Sequence, residues 1–158
     1  MASPSKAPVT PTQGVLAGAL AAAIAVAGFV KPWEGRELTP YQDIVGVWTV
    51  CEGITRDVEQ HRYTNKECDA LLRDEVAIHL RGVSKCIHRP LPQHQWVAIG
   101  SWVYNVGVGA ACGSSLVRKI NAGEPWCAEL LKWDRAGGRR VSGLTRRRQA
   151  EYAMCEGR

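Results

Sequence analysis

The chain has 158 residues and a formal charge of +5, with 46 % of its residues apolar and 22 % charged. That length is ordinarily one domain, which excludes a multidomain assembly, and behind an apolar leader it leaves roughly 130 residues for a core. The positive balance suits an anionic polymer, a membrane surface or nucleic acid, and the basic residues thicken between Arg135 and Arg148, a run that reads locally as a solvated basic face.

In chain order, residues 1–13 form a short tail carrying Lys6, and Gly14 to Val30 then runs for 17 uncharged residues before Lys31. Only seven of the 17 are larger than alanine. At about −0.3 to −0.6 kcal/mol each they contribute roughly −2 to −4 kcal/mol to insertion, so a spanning helix of this composition is marginal. Three readings stand: a weak membrane anchor with its N-terminus inside, a signal peptide cut after the "AVA" of Ala25 to Ala27, or an Ala-rich core helix.

After Lys31, Pro32 and Trp33 comes "EGRELTPYQDIVGVWT", in which Glu34, Asp43 and Thr49 stand nine and then six positions apart. Glu34-Gly35 reads as a helix end with Gly as its cap, and "VGVWTV" as a strand after a tight turn. A carboxyl at a helix end would then face a carboxylate and a hydroxyl on a hairpin. Glycoside hydrolysis needs one protonated carboxyl to donate to the leaving oxygen and a second group to activate or hold water. Two acids on separate elements can supply that gap.

Further along, Thr64-Asn65-Lys66-Glu67 is a capping-box pattern opening a long amphipathic helix through Cys68, Leu71, Leu72, Val76, Leu80 and Val83. Pro90 and Pro92 break the chain before "QHQWVAIGSWVYNV", whose Trp96, Ile99, Trp102 and Val103 share a helical face. Shorter helices are predicted around Leu116 to Ile120, Cys127 to Trp133 and Leu144 to Met154, with "RAGGRR" as a loop between the last two. "GVGAACG" is Gly-rich without a strand-to-helix phosphate-binding pattern, no Walker or dinucleotide motif occurs, and no cofactor is implied.

The six cysteines, Cys51, Cys68, Cys86, Cys112, Cys127 and Cys155, all follow the apolar stretch. An even number on one side of such a segment favours disulfides in an oxidising compartment over zinc, since no C-x-x-C pair occurs and Cys86 with His88 has no partner motif. Fifteen pairings are possible. Cys51 lies two residues past Thr49 and Cys68 opens the long helix, so a Cys51–Cys68 bridge would tie the hairpin to that helix, worth roughly 3 kcal/mol for so short a loop.

The stretch from Glu34 to Thr55 resembles the active-site region of phage-type lysozymes, glycoside hydrolase family 24. Glu34-Gly35, Tyr41-Gln42-Asp43, Gly46 and Thr49 match that signature in register, while Cys51 and Ile54 stand where the family has a Gly and a His. "WVYNVGVGAACGSSLVRKINAGE", Trp102 to Glu124, and "GLTRRRQAEYAMC", Gly143 to Cys155, look like the family's second block and its C-terminal Gly-Leu-x-x-Arg-Arg helix. The resemblance implies an α+β lysozyme-like fold: a small β-hairpin lobe and a helical lobe joined by a long helix, with an N-terminal apolar helix. It implies Glu34 as general acid, kept protonated by partly apolar surroundings, Asp43 as base or electrostatic partner, and Thr49 holding the attacking water. Tyr104, Asn105 and Ser115 lie where such enzymes line the sugar cleft.

Joined to the weak leader, the pattern resembles signal-arrest-release endolysins. It implies a chain organised as a tail over 1–13, a membrane segment over 14–30 and a catalytic domain over 31–158. The implied partners are peptidoglycan, the host inner membrane transiently, and a phage holin acting through depolarisation, with no nucleic acid and a monomeric enzyme that ends in the periplasm. A non-catalytic, membrane-tethered wall-binding protein is the alternative.

Overall fold

In the computed structural model, which describes residues 10–158, the apolar stretch folds into two helices laid on the rest of the chain. Helix α1, Pro11–Ala21, starts at a Thr10 capping box and has Pro at its first position, where a missing N–H costs nothing. Helix α2, Ala23–Glu34, follows a break at Ala22 and is bent 47° from α1. Among the described residues no single helix is long and apolar enough to cross a membrane; α1 and α2 together have the length and composition.

Val15, Ala19, Ala22, Val26 and Val30 recur three or four residues apart and form a buried stripe in the main core. Small residues allow the approach. A methyl added at Gly100 of helix α4 (Gln93–Val106) would lie 2.7 Å from both Val26 methyls, and one at Gly18 would lie 3.3 Å from the Trp96 indole nitrogen. The helix runs through Pro32, whose missing N–H leaves the carbonyl of exposed Gly28 to solvent. The core-helix reading therefore describes this folded state, and residues 14–30 are continuous with the domain that follows them. Of the tail, residues 1–9 with Lys6 lie outside the described residues.

Strands β1, Glu37–Gln42, and β2, Trp48–Cys51, make the antiparallel hairpin, with Tyr41 opposite Thr49 and Gln42 opposite Trp48. Helix α3, Asn65–Ser84, begins at the predicted box: Thr64 N donates to Glu67 Oε2 at 2.6 Å, and Glu67 N donates back to Thr64 Oγ1 at 3.2 Å. The face that α3 buries, Leu72, Val76, Leu80 and Val83, joins α1, α2 and α4 in one core around Trp96 and Trp102. A second cluster of Val50, Cys51, Ile54, Tyr63 and Cys68 underlies the hairpin. This is the expected α+β arrangement.

The C-terminal half holds short α5, Val108–Cys112, in the Gly-rich stretch, then α6, Ser115–Ala122, and a 3₁₀ helix, Cys127–Lys132. The predicted "RAGGRR" loop is a two-residue-a-side hairpin, β3 Arg135–Ala136 and β4 Arg139–Arg140. Gly137 and Gly138, both at positive φ, supply its turn. Helix α7, Ser142–Cys155, closes the core against α4. Three disulfides, Cys51–Cys68, Cys86–Cys112 and Cys127–Cys155, use all six cysteines. Glu52 lies beside the first pair in a grouping that could hold a metal, but the two sulfurs bond each other instead.

Buried Glu129 joins α6 to the 3₁₀ helix, accepting from Lys119 Nζ at 2.8 Å, Lys132 Nζ at 2.9 Å and Ser115 Oγ at 2.8 Å. These donors, Lys119 foremost, hold its carboxyl down at about 2 against an ordinary 4.5. A carboxyl lowered by folding stabilises fully above its unfolded value and loses that contribution as pH falls toward the folded one. Thermal melts should therefore show Glu129→Gln less stable than the unsubstituted protein at pH 6, with the gap closing between pH 4.5 and 2.

Candidate active site

Glu34 is the last residue of α2, where Gly35 at φ +59 turns the chain into β1. Its side chain, 21 % exposed, opens on a cleft of about 470 Å³ lined by Trp33, Asn105, Leu144, Arg146 and Arg147 among others. The surroundings are apolar on one side, with Trp33, Val141 and Leu144, and ionic on the other. Arg147 Nη1 of α7 donates directly to Glu34 Oε1.

Arg147 itself is held from behind. Its Nη2 donates to the Ser101 carbonyl at 3.0 Å, and its Nε stands 3.3 Å from Glu151 Oε1 and 3.4 Å from Ser101 Oγ. Glu151 Oε1 also accepts from Ser101 Oγ at 2.6 Å and Arg148 Nη2 at 3.0 Å, and Arg148 Nε lies 2.8 Å from Oε2. The side chains of Arg147, Arg148 and Glu151 are 4 %, 0 % and 0 % exposed. Part of the expected solvated basic run is thus inside the protein, because two cations can be buried when two carboxylates meet them. Burial pushes Glu151 above the ordinary carboxylate range and Arg148 below the ordinary guanidinium range, against the attraction each exerts on the other.

Asp43 sits in the β1–β2 turn. Its Oδ1 accepts from Val45 N and Val47 N, both at 2.9 Å, while its own backbone pairs with Val47 and Gly46. One carboxylate oxygen shapes the turn, and the other, Oδ2, is not used by it. Gly46 at φ +81 completes the bend. Thr49 is 5 % exposed and donates its hydroxyl to the Val47 carbonyl at 3.0 Å, leaving the oxygen lone pairs as its remaining function.

The two departures from the lysozyme-like pattern have local explanations. Cys51 adopts φ +57, a conformation that favours the glycine otherwise expected there, and its bridge to Cys68, with Cα atoms 5.3 Å apart, holds it. Ile54 pairs its backbone with Val50 and buries its side chain in the hairpin cluster, replacing a polar partner with apolar packing. Arg36, one residue past Gly35, donates to buried Glu52 at 2.5 Å and to Asp69 at 2.6 Å, and so locks the hairpin to α3.

Tyr104 donates to the Glu52 carbonyl at 3.0 Å, and burial, with Glu34, Glu75 and Glu52 nearby, keeps its phenol neutral. Asn105 is exposed and lines the cleft beside Glu34. Ser115 donates its hydroxyl to Glu129 at 2.8 Å, and, like Tyr104, Asp43 and Thr49, it is not among the residues lining the cleft beside Glu34. Arg147 was not singled out from sequence. Its signal was present in "RRRQAEY", where Glu151 follows Arg147 and Arg148 at helical spacing.

Because an amide oxygen can replace Asp43 Oδ1 in the turn, Asp43→Asn should melt close to the unsubstituted protein. Asp43→Ala hands two turn donors to water and should lose about 0.5 to 1.5 kcal/mol in chemical denaturation.

Residues 31–151 match the phage lysozyme family. The SAR-endolysin of Enterobacteria phage P21 is 42 % identical over 126 residues, covering 77 % of this chain and 76 % of its own. That of Escherichia phage Mu is 37 % identical over 118 residues, covering 73 % of this chain and 69 % of its own. Among solved structures, the muramidase domain of SpmX from Asticaccaulis excentricus superposes with a TM-score of 0.76 at 28 % identity, over 83 % of this chain and 94 % of that domain. A mutant P22 lysozyme superposes with a TM-score of 0.75 at 26 % identity, over 84 % and 95 %. The chain belongs to the phage lysozyme family.

Proposed function

We propose that the protein is a lysis enzyme that hydrolyses the β-1,4 bond between N-acetylmuramic acid and N-acetylglucosamine in peptidoglycan. The observation that carries this reading is a carboxyl at a helix end opening on a cleft, Glu34, in a chain whose residues 31–151 match the phage lysozyme family; Asp43 and Thr49, on the hairpin that follows it in sequence, are assigned as its partners. Glu34 donates a proton to the leaving glycosidic oxygen. Asp43 supplies the base or the stabilising charge through Oδ2, and Thr49 accepts a hydrogen from the attacking water. If the carboxyls stand roughly 6.5 to 9.5 Å apart in the bound complex, water enters between them and the anomeric configuration inverts.

The apolar segment acts as a weak inner-membrane anchor that leaves the bilayer when a holin collapses the membrane potential, after which the monomer works in the periplasm. Support comes from the outer side of α1–α2. Gly14, Leu16, Ala17, Ala21, Ile24, Ala25 and Gly28 are solvent-facing or partly so without one charged or polar side chain, and Ile24 is 77 % exposed. Ordinary surface helices carry charge on that face. While inserted, Val26 to Val30 cannot also pack on α4, so Glu34 is not delivered to the cleft.

On purified peptidoglycan, Glu34→Gln should lose essentially all hydrolysis, and Thr49→Val and Asp43→Asn should fall by about 10²- to 10⁴-fold while remaining folded. Residual activity near that of the unsubstituted enzyme in Glu34→Gln would place the acid elsewhere.

The anchor is tested separately by raising hydropathy only where the folded state has room. Leu at Gly18 or Ala22 would also crowd the core, whereas Ala17, Ala21 and Ala25 are exposed. The triple variant Ala17→Leu, Ala21→Leu, Ala25→Leu should stay in the membrane fraction and delay lysis after an uncoupler is added. Lysis on the normal schedule would overturn the anchor. A chain cut after Ala27 would make the segment a signal peptide.

A further inference from the structure

We infer that Glu151 and Ser101, buried behind the cleft, are positioning residues for the Glu34 acid: they hold Arg147 so that Nη1 meets Glu34, and the Glu151 charge offsets the cationic field of Arg147 and Arg148. The inference rests on Glu34 being the acid. The geometry runs in one line from the core to the cleft. Ser101 Oγ donates to Glu151 at 2.6 Å, and Glu151 and the Ser101 carbonyl take the Nε and Nη2 sides of Arg147. Nη1 is left for Glu34.

The arrangement answers a conflict in the chemistry. A general acid must carry its proton when substrate arrives, yet an arginine alone beside it favours the ionised form. Two buried guanidiniums would do so more strongly. Glu151, in contact with both, removes one of the two positive charges from the balance seen by Glu34.

Other charges around this line come from every packed element. Tyr104 of α4 is neutral, and Glu75 of α3 and Glu52 just past β2 act on it together with Glu34. Arg146 of α7 is on the exposed rim of the cleft, Lys31 of α2 pairs with Asp69, and Glu129 of the 3₁₀ helix is committed to Lys119 and Lys132. Asp43 faces Glu34 from the hairpin side in the proposed mechanism.

The test is the pH profile of kcat/KM on soluble peptidoglycan fragments, using the full chain released from the membrane. Its alkaline limb reports loss of the acid's proton in the free enzyme. Glu151→Gln leaves a net second positive charge near Glu34 and should move that limb to lower pH by roughly one unit. Arg148→Gln removes a positive charge and should move it the opposite way. The double variant restores the balance and should return the limb to its original place, which repair of mere packing would not do. KM should change less than about twofold, because neither residue lines the cleft.

Ser101→Ala leaves every charge in place and should lower kcat severalfold with the limb unmoved. If one single variant fails to fold, the sign of the other still decides. Limbs that coincide with the unsubstituted enzyme's, or that move the same way in both single variants, overturn the inference. Full activity in Glu34→Gln would instead remove the acid assignment on which it rests.

Discussion

Everything at the cleft depends on where α2 lies on α4. Val26 seats against Gly100 at a spacing that admits no added methyl, and Val30 is fully buried one turn later. Four residues further, the helix ends at Glu34, opposite Arg147. Burying Val15, Val26 and Val30 is worth about 5 to 9 kcal/mol relative to leaving them in water. In water, packing on the domain is therefore the favourable arrangement for this segment.

The abundance of Gly and Ala in residues 14–30 bears on the packed state and on the proposed inserted one by the same physics. Small side chains contribute little to transfer into lipid, so a helix rich in them is held weakly there. Small side chains also let two helices approach closely, as Gly18 does under the Trp96 indole and as fully buried Ala19 and Ala22 do within the core. Replacing them with larger apolar residues strengthens one state and obstructs the other. On the solvent face Ile24 and Ala25 are uncovered.

The hairpin is fixed by different means. It has few apolar residues facing inward, and Ile44 and Val45 at its tip are exposed. Its position comes from covalent and ionic ties: Cys51 to Cys68, and Arg36 to Glu52 and Asp69. Cys51 shows how such a tie changes what a backbone can hold. A non-glycine residue at φ +57 is uncommon, and the bond to α3 fixes it. The lobe carrying Asp43 and Thr49 is thereby set against α3.

The local elements could be read directly from the residues. The Thr64 box, the break at Pro90 and Pro92, the helix end at Gly35 and the turn after Asp43 are each decided by atoms within a few positions of one another. The carboxyl–carboxyl–hydroxyl spacing and the lysozyme resemblance followed from the same short stretch. What sequence could not assign was partnership across the fold. Arg147 lies 113 positions from Glu34 and looked like part of a basic surface until α7 packed on α4 and closed the ion pair. Ser115 meets Glu129 14 positions further on, a tie that spacing alone does not announce. The apolar segment allowed a span, a signal or a core helix, because hydropathy counts the side chains and not what they meet. Side-chain type fixed the helix and the turn locally, while burial of opposite charges from distant segments was decided only when the tertiary packing brought them out of water together.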